Sequence, residues 1–351
     1  MNLRSSILTL LATSLVSLST QTLNANLTPV SGYQSGQVLS SQTLGAFDIY
    51  SDGGTRAYGW DSNTSTLRRY DVSGGGVLGD FGAPTGGYAD SAFISFVRRS
   101  PDGNSVWVGF TVGGNTDDRI YEVTDLSGTP TWNLRTTLGG NFDMEFSGND
   151  AFVSANPGGF GNPNRLFYLD AANSYTAIQF ATTGGFSADL AFDATGALVY
   201  GTSGLASEQL VSFAAGDISA FLSNPGSWTP FNLGDGTLLS SLPSGASSLW
   251  ADSVGGIFVA LSDFSAFPFS GTLAQWNGTT SAGTNLDTLA TADDSLGELD
   301  GLGVLALDGT LYQSVGFGNS GIDTLEIPEP STYALIVGVA ILGLRIASRR
   351  K

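Results

Sequence analysis

Carboxylates are the main acid–base and ligand groups this sequence offers, because histidine and cysteine are both absent. Their absence removes His-dependent triads, thiolate nucleophiles and the ordinary nitrogen- and sulfur-ligated zinc sites. Four aspartates stand at or just before the first apolar segment of a recurring unit: Asp48, Asp143, Asp189 and Asp300. Asp90 does so less regularly. Brought together on one axis, the four would supply the oxygen ligands that Ca2+ prefers. The same acids also read as solvated or capping groups at strand starts. No loop carries the full calcium pattern with glycine at its sixth and glutamate at its twelfth position. The stretch "DSNTSTL" from Asp61 is a fragment of it at best.

Positioning acids from distant parts of the chain requires a repeat. One is visible: an apolar strand, a turn rich in Asp and Gly, a second strand, a loop, and a third strand. It begins as "AFDIYSDGGTRAYGW", "AFISFVRRSPDGNSVWVGF", "NFDMEFSGNDAFVSA", "SADLAFDATGALVYG", "ASSLWADSVGGIFVAL" and "LDGLGVLALDGTLYQSV". The turns centre near Asp52, Asp102, Gly148, Asp193, Asp252 and Asp308, 45 to 59 residues apart. That spacing lies in or slightly above the range of propeller blades. An outer fourth strand follows in most copies: "GVLGDF", "TWNLRTTL", "YTAIQFA", "WTPFNL" and "AGTNLDTL". The sixth copy has none before Pro328. "SGQVLSSQTL" at 35–44 precedes the first copy and is expected to supply it, closing the ring and removing an open edge. The expected fold is therefore all-β: a β-propeller of about six four-stranded blades. A parallel β-helix competes, although its rungs are shorter.

The two ends stand apart from this body. Residues 1–25 have one positive charge, an apolar stretch from Ile7 to Leu18 and "LNA" before a cleavage point after Ala25, the pattern of a secretory signal peptide. Residues 328–351 open with Pro328, Glu329 and Pro330, a stiff extended segment. An apolar run of twelve uncharged residues follows from Tyr333 to Leu344, then Arg345, Arg349, Arg350 and Lys351. A helix over 333–347 spans a bilayer only if Arg345 snorkels to the cytoplasmic side, where positive-inside topology puts the basic end. The order of parts resembles a PEP-CTERM protein. That resemblance covers the last 25 or so residues. It implies recognition by an exosortase, processing near Pro328–Pro330 after a transient stay in the inner membrane, and delivery to the surface or matrix of a Gram-negative bacterium, where biofilm exopolysaccharide is a partner to expect. It implies nothing about the body at 26–327.

Removing both ends leaves 30 acidic residues, eight arginines and no lysine, a net charge of −22. Nucleic acid is thus not an expected partner, since phosphate binding needs a basic face. Three loops place glycine directly before asparagine, at Gly114-Asn115, Gly161-Asn162 and Gly318-Asn319. With Phe160 and Phe317 they suggest either a glycan-binding face or turns that need positive φ. Two functions remain open on sequence alone. The main expectation is a non-enzymatic binding or structural module with no cofactor. The alternative is a Ca2+-dependent propeller hydrolase or lyase that uses channel carboxylates.

Overall fold

A computed structural model describes residues 27–326, except 87, 91, 113–116, 160–161, 186–188, 264–269, 293–298, 306–308 and 316–320. The cleavage point at Ala25, the sorting motif and the 333–347 helix lie outside the described residues. Among the described residues, no helix is long and apolar enough to cross a membrane.

The chain folds into six sheets, one per sequence repeat, antiparallel except for one short added strand. Their innermost strands are Leu44–Ser51, Phe93–Arg99, Asn141–Ser147, Leu190–Phe192, Gly245–Ala251 and Leu299–Leu305. Each touches the next, and the last touches the first, so the sheets form a closed six-bladed β-propeller. Alternation along the strands explains why the blades pack. Along Val106–Thr111, Val106, Val108 and Phe110 enter the core between blades 1 and 2, whereas Trp107 enters the core between blades 2 and 3. Successive side chains of a strand point to opposite faces, so each blade serves two interfaces. Six apolar clusters result, one at each interface. The turns in the first hairpins are made by positive-φ glycines, among them Gly53 at 62° and Gly148 at 61°.

The ring closes as the sequence suggests, with a small shift. Gln34–Val38 is the fourth strand of blade 6, pairing antiparallel with Ile322–Glu326. Asp323 fastens the segment, accepting from the Gln37 side chain at 3.3 Å and from Leu27 N at 3.2 Å. Leu27–Pro29 goes further and adds a fifth strand to blade 5.

Blade 4 departs from expectation. Its fourth strand is Thr237–Leu242, not the "WTPFNL" segment. A helix, Ala215–Ser223, follows the third strand and buries Ile218 and Phe221 against blade 3. The chain then crosses blade 3, where Phe231–Asn232 forms a short fifth strand parallel to Ala181–Thr182. Trp228 and Phe231 face Phe180 there at ring-centroid distances of 6.1 and 5.6 Å. These aromatics join the apolar core between blades 3 and 4 before the chain returns to complete blade 4.

Candidate active site

Five of the six inner strands carry a β-bulge near their start: between Leu44 and Phe47, Ile94 and Phe96, Asn141 and Asp143, Ala246 and Ser248, and Asp300 and Leu302. A bulge re-aims the side chains that follow it. Asp48 and Asp143 lie just past two of them. Both turn across to the next blade. Asp48 Oδ2 accepts from Arg99 N at 2.7 Å, and Asp143 Oδ2 accepts from Leu190 N at 3.1 Å.

Arg98 stands at the centre of this wall. It is buried, and its Nη2 donates to Asp143 Oδ1 at 2.7 Å. Nη1 donates to Val97 O at 3.2 Å. Nε lies 3.6 Å from Glu145 Oε2 and makes no hydrogen bond. Four carboxylates therefore surround one guanidinium: Asp143 and Glu145 in direct ion pairs, Asp48 and Asp189 through their fields. Burial works against the charge on Arg98, and these acids more than restore it. Burial likewise raises Asp48 and Asp143 above the usual aspartate range, with Arg98 pulling the other way.

Glu145 has the properties a catalytic acid–base needs. Burial lifts its carboxyl from 4.5 to about 7, against Arg98 and the Phe146 N–H, and with help from Asp143 and Asp48. Its Oε1 accepts from Phe146 N at 2.9 Å, while its side chain keeps 23% of its surface exposed. A carboxyl poised near neutrality beside a guanidinium with a spare donor can both move a proton and stabilise an oxyanion.

Of the four sequence-identified aspartates, Asp48, Asp143 and Asp189 gather around Arg98. The backbone of Asp300 pairs with Ser314 on the inner strand of blade 6, and its side chain lies outside the described residues. The functional reading missed Arg98 and Glu145. One signal existed: Asp143 and Glu145 are two apart in a strand and so share a face. The turn acids play local roles. Asp193 accepts from the Thr195 and Ala197 amides, and Asp252 from those of Val254 and Gly256. Of the Gly-Asn loops, only Asn162 is described, and it closes a turn onto Gly158 O at 2.5 Å.

This wall does not fit a bound Ca2+. The guanidinium already stands among the acids, Asp143 spends both oxygens on Arg98 and Leu190, and among the described residues no three acids come close enough to hold a metal ion.

No protein-family model matches the chain, and no curated protein matches it. Solved structures do match. The PQQ-bound aldose sugar dehydrogenase of Streptomyces coelicolor is similar with a TM-score of 0.57 and 14% identity, over 85% of this chain and 99% of that one. A luciferin-regenerating enzyme matches at 0.59 and 13%, over 85% and 96%. A gluconolactonase from Xanthomonas campestris matches at 0.50 and 13%, over 86% and 91%. Likeness at this identity establishes the fold. Set against the expectation of a non-enzymatic body, three of the propellers matched over nearly their whole length are enzymes.

Proposed function

We propose that the protein is an exported hydrolase that opens an ester or lactone of a sugar-class substrate, with Glu145 as general base and Arg98 as the oxyanion-stabilising group. The observation that carries this reading is the Glu145–Arg98 pair: a carboxyl held near pH 7, 3.6 Å from a buried N–H with no hydrogen bond. The gluconolactonase and the sugar dehydrogenase among the matched propellers support the substrate class.

In the reaction, ionised Glu145 removes a proton from water as the water oxygen bonds to the substrate carbonyl carbon. The carbonyl electron pair moves to its oxygen, which the positive charge of the buried Arg98 guanidinium stabilises through its field. Collapse of that intermediate breaks the bond to the ring or ester oxygen. The leaving alkoxide takes the proton from Glu145, which returns to its starting state. Asp143 keeps the guanidinium oriented through its 2.7 Å bond. A quinone tricarboxylate such as PQQ does not suit the same wall, since four carboxylates there oppose one guanidinium.

The order of parts at the two ends supports export. A signal-peptide pattern precedes the body, and Pro328-Glu329-Pro330, the apolar segment and the basic end follow it. In this reading an exosortase processes the tail and releases an acidic propeller to the surface or matrix. Turnover of sugar δ-lactones and aryl esters by the full chain tests the catalytic reading. Glu145→Gln is expected to reduce hydrolysis at least 100-fold. A variant that keeps the wild-type rate refutes it.

A further inference from the structure

Arg98 and Arg99 are neighbours in one strand and so point to opposite sides of it. Arg98 faces the acids of the channel wall. Arg99 faces blade 1, into a cleft of about 690 Å3 on the side of the disc formed by the first-hairpin turns and the turns between third and fourth strands. We propose that this cleft between blades 1 and 2 is a second binding site, specific for a sugar acid. The proposal does not depend on the hydrolase reading.

Its donors are out of keeping with the rest of the protein. In a body of net charge −22 with eight arginines, five are in ion pairs among the described residues: Arg56, Arg68, Arg98, Arg119 and Arg135. Arg69 and Arg99 both line the cleft, and neither has a carboxylate partner among the described residues. Arg69 Nε is buried without a hydrogen bond. Tyr50 is 8% exposed, lines the same cleft, and its hydroxyl also lacks a hydrogen bond. Burial and the neighbouring Tyr58 raise the Tyr50 pKa, so the hydroxyl keeps its proton at any physiological pH, while the charges of Arg69 and Arg99 pull the other way. The site is rigid. Arg99 lies 4.5 Å over the Tyr50 ring, and that ring stacks on Tyr58 at 5.2 Å. Gly103, at φ 74°, leaves room for the Arg99 guanidinium, which a Cβ there would strike.

Two guanidiniums and a hydroxyl line one cleft, a set of donors that suits a carboxylate. The other lining groups decide what carries it. Asp52, Asp125 and Asn104 line the cleft, and Asp80 does so with its carboxylate held by Arg68 at 2.9 Å. These acids repel a phosphate or sulfate dianion, but they accept hydrogen bonds from hydroxyls. A single carboxylate bearing several hydroxyls satisfies both sets of groups, and the volume is in the range of small-molecule sites. The chemistry is that of an aldonic acid or of a uronic residue in an acidic polysaccharide.

Isothermal titration calorimetry on the full chain tests this with gluconate, trigalacturonate, glucose and inorganic phosphate at fixed ionic strength. At least one sugar acid is expected to bind tenfold or more tightly than glucose and phosphate. Preference for trigalacturonate identifies a polymer site, and preference for gluconate a site for the free acid. Arg69→Gln and Arg99→Gln are each expected to weaken that binding at least tenfold, and Tyr50→Phe severalfold. Arg135→Gln, whose ion pair lies outside the cleft, is expected to leave it unchanged. Failure of the wild-type chain to bind either sugar acid, equal binding of glucose, or tighter binding of phosphate overturns the proposal. So does unchanged affinity in both cleft variants with wild-type melting temperatures.

Discussion

Replacing Glu145 with glutamine should make the protein more stable, and only above a certain pH. In the fold burial lifts the carboxyl from 4.5 to about 7. The folded state therefore holds this proton more tightly than the unfolded chain. Its stabilising contribution is complete below pH 4.5, is lost as pH rises towards 7, and is level above that. At about 1.4 kcal/mol per tenfold change in proton affinity, the full loss is about 3 kcal/mol. The 23% of the side chain still open to solvent trims that figure. Glutamine resembles the protonated acid and does not titrate. Glu145→Gln should match wild type at pH 4 and exceed it by about 1–3 kcal/mol at pH 8.5. Asp48 and Asp143 are also raised and titrate in both proteins, and their repulsion of ionised Glu145 is part of the gap that glutamine removes. Urea denaturation at the two pH values is the assay. Equal stability gaps at pH 4 and pH 8.5 would refute the argument, because they would mean Glu145 has the same proton affinity folded and unfolded. A gain at high pH would mean that stability is held below its optimum for the sake of the site.

Starting the chain at Gly45 removes the closing strand and three buried leucines, Leu27, Leu39 and Leu44. At about 1.5–3 kcal/mol each, the loss should exceed roughly 5 kcal/mol in chemical denaturation. A truncation that melts like the intact body contradicts closure by that strand. Phe221→Ala should cost about 3–5 kcal/mol, because the ring is fully buried and packs against Phe152, Tyr168, Phe180 and Trp228. Asp143→Ala should cost about 3–5 kcal/mol by leaving Arg98 buried without its closest carboxylate, and a cost under 1 kcal/mol in urea denaturation would argue against the network.

The ring was legible because it rests on local signals. Strand alternation, glycine turns and spacing identify each blade, and the sixth copy meets Pro328 before a fourth strand, which points to the N-terminal segment. The helix at Ala215–Ser223 escaped notice because it is short and has no side-chain cap. "WTPFNL" then looks like the outer strand of blade 4, whereas its aromatics are drawn to Phe180 on blade 3. Three channel aspartates were visible from their places in the repeat. Arg98 and Glu145 were not, since nothing local to "FVRRS" or "NFDMEF" tells that the two strands face each other across a blade boundary. The conversion of Glu145 to a near-neutral acid depends on burial, and burial exists only once the ring has closed. The paired arginines of the blade 1–2 cleft are hidden for the same reason.

The pH dependence of lactone hydrolysis tests the central claim most directly. kcat/KM measured from pH 5 to pH 9 is expected to rise through about pH 7, as Glu145 ionises, and to level above it. Glu145→Gln is expected to abolish both the rate and this limb. A wild-type profile flat across pH 7, or a limb that persists in Glu145→Gln, would contradict the assignment of Glu145 as the catalytic base.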